Sequence, residues 1–206
     1  DVKSIVTPIP GFCDFKFRIE EFKKATIIGN QDRRLIGDEL IQEITANIYI
    51  IQSYIDLVKH IPQRVIHSDP KLSNFLFDKT NENVISLIDI DTIMPGTILY
   101  DFGDMVRSFS NNLKEDDSSS TVAFNQEVYD ALFNGYIKIA QEFITDQESK
   151  NLSLAALCVA LVQSIRFLTD YLNDDSYYQV SYENQNFDRA SNQFSFFKEI
   201  KEYLSL

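Results

Sequence analysis

Asp69, Asn74 and Asp89 are three oxygen-bearing side chains at intervals that suit phosphoryl transfer to a hydroxyl. That reaction asks a protein for a carboxylate that orients the hydroxyl and takes its proton. It also asks for oxygen ligands to a metal ion that holds the phosphates, and for positive charge beside the group in flight. His67-Ser68-Asp69, followed five residues later by Asn74, puts a carboxylate and an amide oxygen at the two ends of one short loop. A hard cation takes oxygen ligands such as these, and magnesium is the natural occupant. Lys71, two positions after Asp69, has the reach to stabilise charge on the moving group. His67 closes an apolar run, where a histidine is more often a hydrogen-bonded framework residue than a base; it is expected to hold the loop.

Those side chains need a frame. Arg64-Val65-Ile66, Asn74-Phe75-Leu76-Phe77 and residues 84–90 are short β-prone runs, and the polar residues 78–83 form a turn between the last two. Asp89 is therefore expected on the second strand of a hairpin that returns it beside Asn74. The same twelve positions, Asp78 to Asp89, imitate the oxygen spacing of a calcium loop, but Asn83 stands where such a loop has glycine and no helices flank it, so the match is a coincidence. Upstream, Leu35, Ile36, Leu40, Ile44, Ile48, Ile51, Ile55 and Val58 recur at threes and fours, predicting one long or two consecutive amphipathic helices over 31–60. Downstream, helices are expected near 99–109, 125–143, 152–172 and 188–204. Residues 111–121, with Lys114-Glu115-Asp116-Asp117 and three serines, are expected to form a mobile surface loop. Pro8, Pro10 and Gly11 punctuate the first residues, and 1–30 is expected to be a linker. The expected fold is α+β, mainly α: one domain over 31–206 with a small β-hairpin carrying the catalytic and metal residues.

Composition narrows the function. Lysine plus arginine number 19 and aspartate plus glutamate 31, so the net charge is 19 − 31 = −12, which repels a nucleic-acid backbone. A phosphorylated small substrate stays compatible, because one Mg²⁺ reverses the local sign in a carboxylate-lined site. Cys13 and Cys158 lie far apart and form neither a disulfide framework nor a zinc spacing, which suits a reducing, cytoplasmic setting. The most apolar stretch, 152–168, is interrupted by Gln163, Ser164 and Arg166 and reads as a buried helix rather than a membrane span.

Three ordered blocks carry a resemblance: His67-Ser68-Asp69-Pro70-Lys71-Leu72-Ser73-Asn74, then Leu87-Ile88-Asp89-Ile90-Asp91-Thr92-Ile93-Met94-Pro95-Gly96, then Tyr100-Asp101-Phe102-Gly103-Asp104. Together they resemble the aminoglycoside phosphotransferase and choline kinase superfamily, and within it most nearly the N-acetylhexosamine 1-kinases and related sugar kinases. The likeness runs on through Arg166-Phe167-Leu168-Thr169-Asp170-Tyr171-Leu172 and from Asp188-Arg189 to Gln193-Phe194, although Arg189 and Gln193 are also what an ordinary polar helix face requires. The resemblance implies that Asp69 is the catalytic base, that Asn74 and Asp89 are the magnesium ligands, and that ATP is the donor. Asp101-Phe102-Gly103 imitates the metal-binding triplet of protein kinases. It lies too far downstream, so Asp101 is expected to brace the catalytic loop. Asp91 either supports the metal site or meets the sugar hydroxyls. Arg166, inside an apolar helix, is either a structural ion-pair partner or, as the resemblance favours, lines the acceptor pocket with Tyr177.

One part of the family pattern is missing. No Gly-x-Gly-x-x-Gly or Gly-x-x-x-x-Gly-Lys motif occurs, only six glycines are present, and the segment before His67 is helical rather than β-rich. The sequence is expected to be a C-terminal lobe whose nucleotide-covering N-terminal lobe is not contained in it, and residues 1–206 alone are expected to be close to inactive. Two functions remain open: a Mg-ATP-dependent kinase for the anomeric hydroxyl of an N-acetylhexosamine, for choline, for an aminoglycoside or for another amino alcohol; or a kinase-like binding module without catalysis.

Overall fold

The computed structural model describes residues 2–80, 83–119 and 122–206. Asn81 and Glu82 of the expected hairpin turn, Ser120 and Thr121 of the expected loop, and Asp1 lie outside them. In chain order the elements are α1 (Phe15–Ile28), α2 (Gln31–Ile36), α3 (Asp38–Val58), β1 (Arg64–Ile66), β2 (Phe75–Phe77), β3 (Val84–Leu87), β4 (Met94–Gly96), α4 (Ile98–Phe109), α5 (Gln126–Ala140), α6 (Asp146–Lys150), α7 (Leu152–Leu172) and α8 (Gln185–Leu204). The result is a mainly helical α+β fold with two small antiparallel pairs, β1–β4 and β2–β3.

The core is built around α7, which packs on α8, α4, α1 and α3. By length and composition α7 would pass for a membrane span, yet 89% of its apolar window is buried inside the fold. Ala155, Ala156 and Ala160, all fully buried, keep its surface low enough for neighbouring helices to approach. Gly103 on α4 answers them. A Cβ there would stand 2.6 Å from Val159 Cγ2 and 2.8 Å from the Ala155 carbonyl oxygen, so only glycine lets α4 lie flat on α7. The Asp101-Phe102-Gly103 triplet is thus helical, and its glycine serves helix packing.

Three expectations are corrected by this fold, and one strand was not expected at all. Residues Phe15–Ile28, expected within a linker, form α1, capped by the Asp14 side chain accepting from Phe17 N and burying Phe15, Ile19, Phe22 and Ala25. The hairpin strand stops at Leu87 and not at Ile90, which leaves Asp89 beyond it. Residues 94–96 pair with β1 in the register Arg64↔Gly96, Val65↔Pro95, Ile66↔Met94, a strand that no local pattern announced. The described part of 111–121 is tied down rather than loose: Asn192 on α8 donates to the Lys114 and Asp117 carbonyls, and Ser118 Oγ donates to Asp188.

Candidate active site

β1 delivers the chain to His67, and β1 is itself fixed from outside the sheet. Arg64 donates through Nε and Nη2 to the buried Glu148 carboxylate at 2.7 and 2.8 Å, while Glu148 also closes the capping box of α6 with Thr145. Burial opposes ionisation of Glu148, but Arg64 and Thr145 hold its carboxyl below the ordinary value.

The turn after β1 is held by one carboxylate. Asp101, in the first turns of α4, accepts from the backbone N–H of His67 and of Ser68, both at 2.8 Å. Burial lifts the Asp101 carboxyl to about 6 despite those two donors. Ser68 adopts φ 66°, a left-handed conformation that side chains other than glycine take at some cost. Its hydroxyl donates to the Thr92 carbonyl, and Thr92 Oγ1 donates back to the His67 carbonyl at 2.8 Å. The two loops are thereby stitched to each other.

From that turn a closed ring of contacts defines the centre. His67 Nε2 lies 3.0 Å from the Ile88 carbonyl and Nδ1 accepts from Asp69 N, which assigns the ring proton to Nε2. The Asn74 carbonyl accepts from Ile88 N at 2.9 Å. The Asn74 side-chain nitrogen donates to the Asp69 carbonyl at 2.8 Å and to Asp69 Oδ2 at 3.2 Å. Lys71 Nζ contacts the same Oδ2 at 2.7 Å. Asp69 Oδ1 and Asn74 Oδ1 therefore remain without a protein donor among the described residues.

Asp89 follows Ile88, whose peptide is gripped from both sides, and takes φ 66°, ψ 52° at the start of a short 3₁₀ turn over Ile90–Thr92. Its carboxylate is exposed and makes no hydrogen bond or ion pair among the described residues. Among those residues no group of three or more His, Cys, Asp or Glu could hold a metal. The oxygens left without a protein donor here, Asn74 Oδ1 and the Asp89 carboxylate, are the ones that could serve as metal donors. A sparse set of this kind suits Mg²⁺, which keeps several waters and takes phosphate oxygens alongside one or two protein ligands.

Asp69 stands at the wall of a cleft of about 340 Å³ that also meets Asp104 and Arg107 from α4, Gln163 and Arg166 from α7, and Tyr177 from the α7–α8 connection. Arg166 is 8% exposed and makes no ion pair among the described residues: its Nη1 donates to Gln163 Oε1 at 3.0 Å, and its guanidinium lies 4.7 Å from the Phe12 ring centre. The ion-pair alternative for Arg166 is thus not what is seen. Tyr177 is 59% exposed and its backbone N–H is held by Asp170. Asp91 is exposed and does not line the cleft.

Several wall residues were not singled out from sequence. Asp104 and Arg107 form a buried i,i+3 pair at 2.6 Å on α4, and the second carboxylate oxygen of Asp104 has no partner among the described residues. Burial raises the Asp104 carboxyl while Arg107 pulls it down. Two opposite charges three apart on a largely apolar helix were the available signal. Glu115 and Arg189 also reach the cleft, paired at 3.5 Å. A family model described as the phosphotransferase enzyme family matches residues 13–140, which include the whole ring from His67 to Asp101.

Proposed function

We propose, for a chain that belongs to the phosphotransferase enzyme family, that it moves the terminal phosphoryl group of ATP to a hydroxyl of a small molecule, namely the anomeric hydroxyl of an N-acetylhexosamine or a related sugar. The observation that carries this reading is the state of Asp69: one carboxylate oxygen is held by Lys71 and Asn74, and the other is left for a substrate hydroxyl at the wall of a cleft.

In this reading Oδ1 of Asp69 orients the acceptor hydroxyl and takes its proton as the oxygen attacks phosphorus. Lys71 steadies Asp69 and places positive charge beside the transferred group. Asn74 and Asp89 would hold Mg²⁺, which when bound neutralises the phosphate oxygens. His67 acts through the loop that it ties to Ile88, and Asp101 acts through the His67 and Ser68 amides. Arg166 and Tyr177 meet the acceptor. Asp91 is left to support the metal loop.

The reading also requires a nucleotide-covering lobe. We place it on the outer face of the β2–β3 hairpin and the turn after it, where Leu76, Val84, Ile85, Ile88 and Ile90 are 40–67% exposed. The decisive experiment uses full-length protein with ATP, Mg²⁺ and N-acetylhexosamine. Asp69→Asn is expected to lower kcat by at least about a hundredfold. Near-normal turnover by that variant would remove Asp69 as the base.

A further inference from the structure

A second and larger cleft, about 640 Å³, opens beside the acceptor cleft. It shares Lys71, Arg107 and Glu115 with its neighbour, so the two are compartments of one trough and not separate cavities. Its volume falls within the range of ordinary small-molecule sites.

The lining differs from the rest of the protein in sign. Across both compartments the cations are Lys71, Arg107, Lys114, Arg166 and Arg189, and the carboxylates are Asp69, Asp104 and Glu115, giving 5 − 3 = +2 in a chain whose total is −12. Lys114, at the outer end, makes no ion pair among the described residues. Neighbouring Asp116 and Asp117 do not line the trough; the Asp116 carboxylate accepts from Gln185 and that of Asp117 from Ser119 N.

The second compartment also holds an unanswered acceptor. Gln193 on α8 is 2% exposed, its nitrogen donates to Asn192 Oδ1 at 3.0 Å, and its Oε1 has no partner among the described residues. A buried amide oxygen without a donor is costly, and a ligand O–H or N–H would answer it once the Gln193 side chain turns that oxygen into the compartment.

We infer that the acceptor is longer than one sugar ring, and that its second unit is an acidic, hydroxyl-bearing group seated in this compartment, its carboxylate or phosphate facing Lys114 and Arg107 and a hydroxyl donating to Gln193 Oε1. This rests on the acceptor cleft proposed above. A trough of net positive charge also opposes choline, aminoglycosides and other cationic acceptors.

The test compares four acceptors on full-length protein: N-acetylglucosamine, its neutral disaccharide, a disaccharide of glucuronic acid on N-acetylglucosamine, and the neutral disaccharide carrying a phosphate. Binding is measured by calorimetry without nucleotide, and turnover with ATP and Mg²⁺. Both acidic disaccharides are expected to bind about tenfold more tightly than the neutral one, with an advantage that shrinks between low and high salt. Preference for one acid over the other identifies carboxylate or phosphate as the natural group. Lys114→Glu, a surface change that spares the ring around Asp69, is expected to remove roughly fivefold of the advantage. Equal binding of neutral and acidic disaccharides, an unchanged preference in Lys114→Glu, or a rise in KM for ATP alone would overturn the inference. Tight binding of an acidic disaccharide with no phosphorylation of any acceptor would instead overturn the proposed reaction and leave this compartment's specificity standing.

Discussion

Replacing Asp101 by asparagine separates the carboxylate's effect on stability from its effect on the catalytic turn. The carboxyl sits at about 6 in the folded protein against an ordinary 3.8, so between those values the folded state holds the proton more tightly than the unfolded state. The sign follows: this group's contribution to stability falls as pH rises from about 4 to about 6 and is flat beyond. With these two values the loss between pH 4.5 and 7.5 is about 2 kcal/mol. Asp101→Asn abolishes that term, but it keeps one acceptor for two backbone donors and turns an NH₂ toward the other, which costs about 1–3 kcal/mol at every pH. The variant should therefore be less stable than wild type by about 1–3 kcal/mol at pH 7.5, and by about 2 kcal/mol more than that at pH 4.5. Denaturant unfolding of both proteins across this range measures the difference. Activity behaves otherwise: with the His67 and Ser68 amides no longer both held, Asp69 shifts, and kcat at pH 7.5 should fall on the order of a hundredfold. A stability difference that is constant between pH 4.5 and 7.5 would refute the assignment of a raised carboxyl. Unchanged kcat would refute the bracing role.

Two further outcomes test separate parts of the structure. Gly103→Ala puts a methyl against Val159 and the Ala155 carbonyl and should cost about 1–3 kcal/mol of unfolding free energy, read from denaturant midpoints; a neutral result would mean that α4 and α7 do not pack at the stated distance. Asp89→Asn keeps the size and removes the charge of the proposed metal ligand, so the Mg²⁺ concentration for half-maximal activity should rise by about tenfold or more, with the unfolding midpoint unmoved because this carboxylate makes no internal contact; an unchanged Mg²⁺ dependence would remove Asp89 from the metal site.

What the sequence made legible follows from how far along the chain each signal extends. That Asp69, Lys71 and Asn74 meet was legible because they share one loop, and α3 and α7 were legible because twenty-one residues of apolar pattern leave little room for another reading. Helix α1 carried the same signal, with Phe15, Ile19, Phe22 and Ala25 at intervals of four, three and three, but the prolines before it drew the boundary too far along. Strand β4 had no such signal. Pro95 argues against a strand, and Pro95 is tolerated because β4 lies at the edge of a two-stranded pair.

The contacts that make the site are of another kind. Asp101 reaches back 34 residues to the His67 amide, and Asn192 reaches 78 residues to the Lys114 carbonyl. Neither leaves a mark in local pattern, because a side chain that caps a distant backbone group looks in sequence like any other polar residue on a helix. Gln193 and Arg189 illustrate the consequence: their spacing is that of an ordinary wet face, yet Gln193 is buried and both line the trough. The net charge misleads in the same way. A total of −12 describes the chain as a whole, whereas the lining of the trough sums to +2, and only the fold decides which five cations stand there together. The walls of the trough are thus built by residues brought together only by tertiary placement, while the Asp69–Asn74 loop is built by residues close enough along the chain to be read from their order.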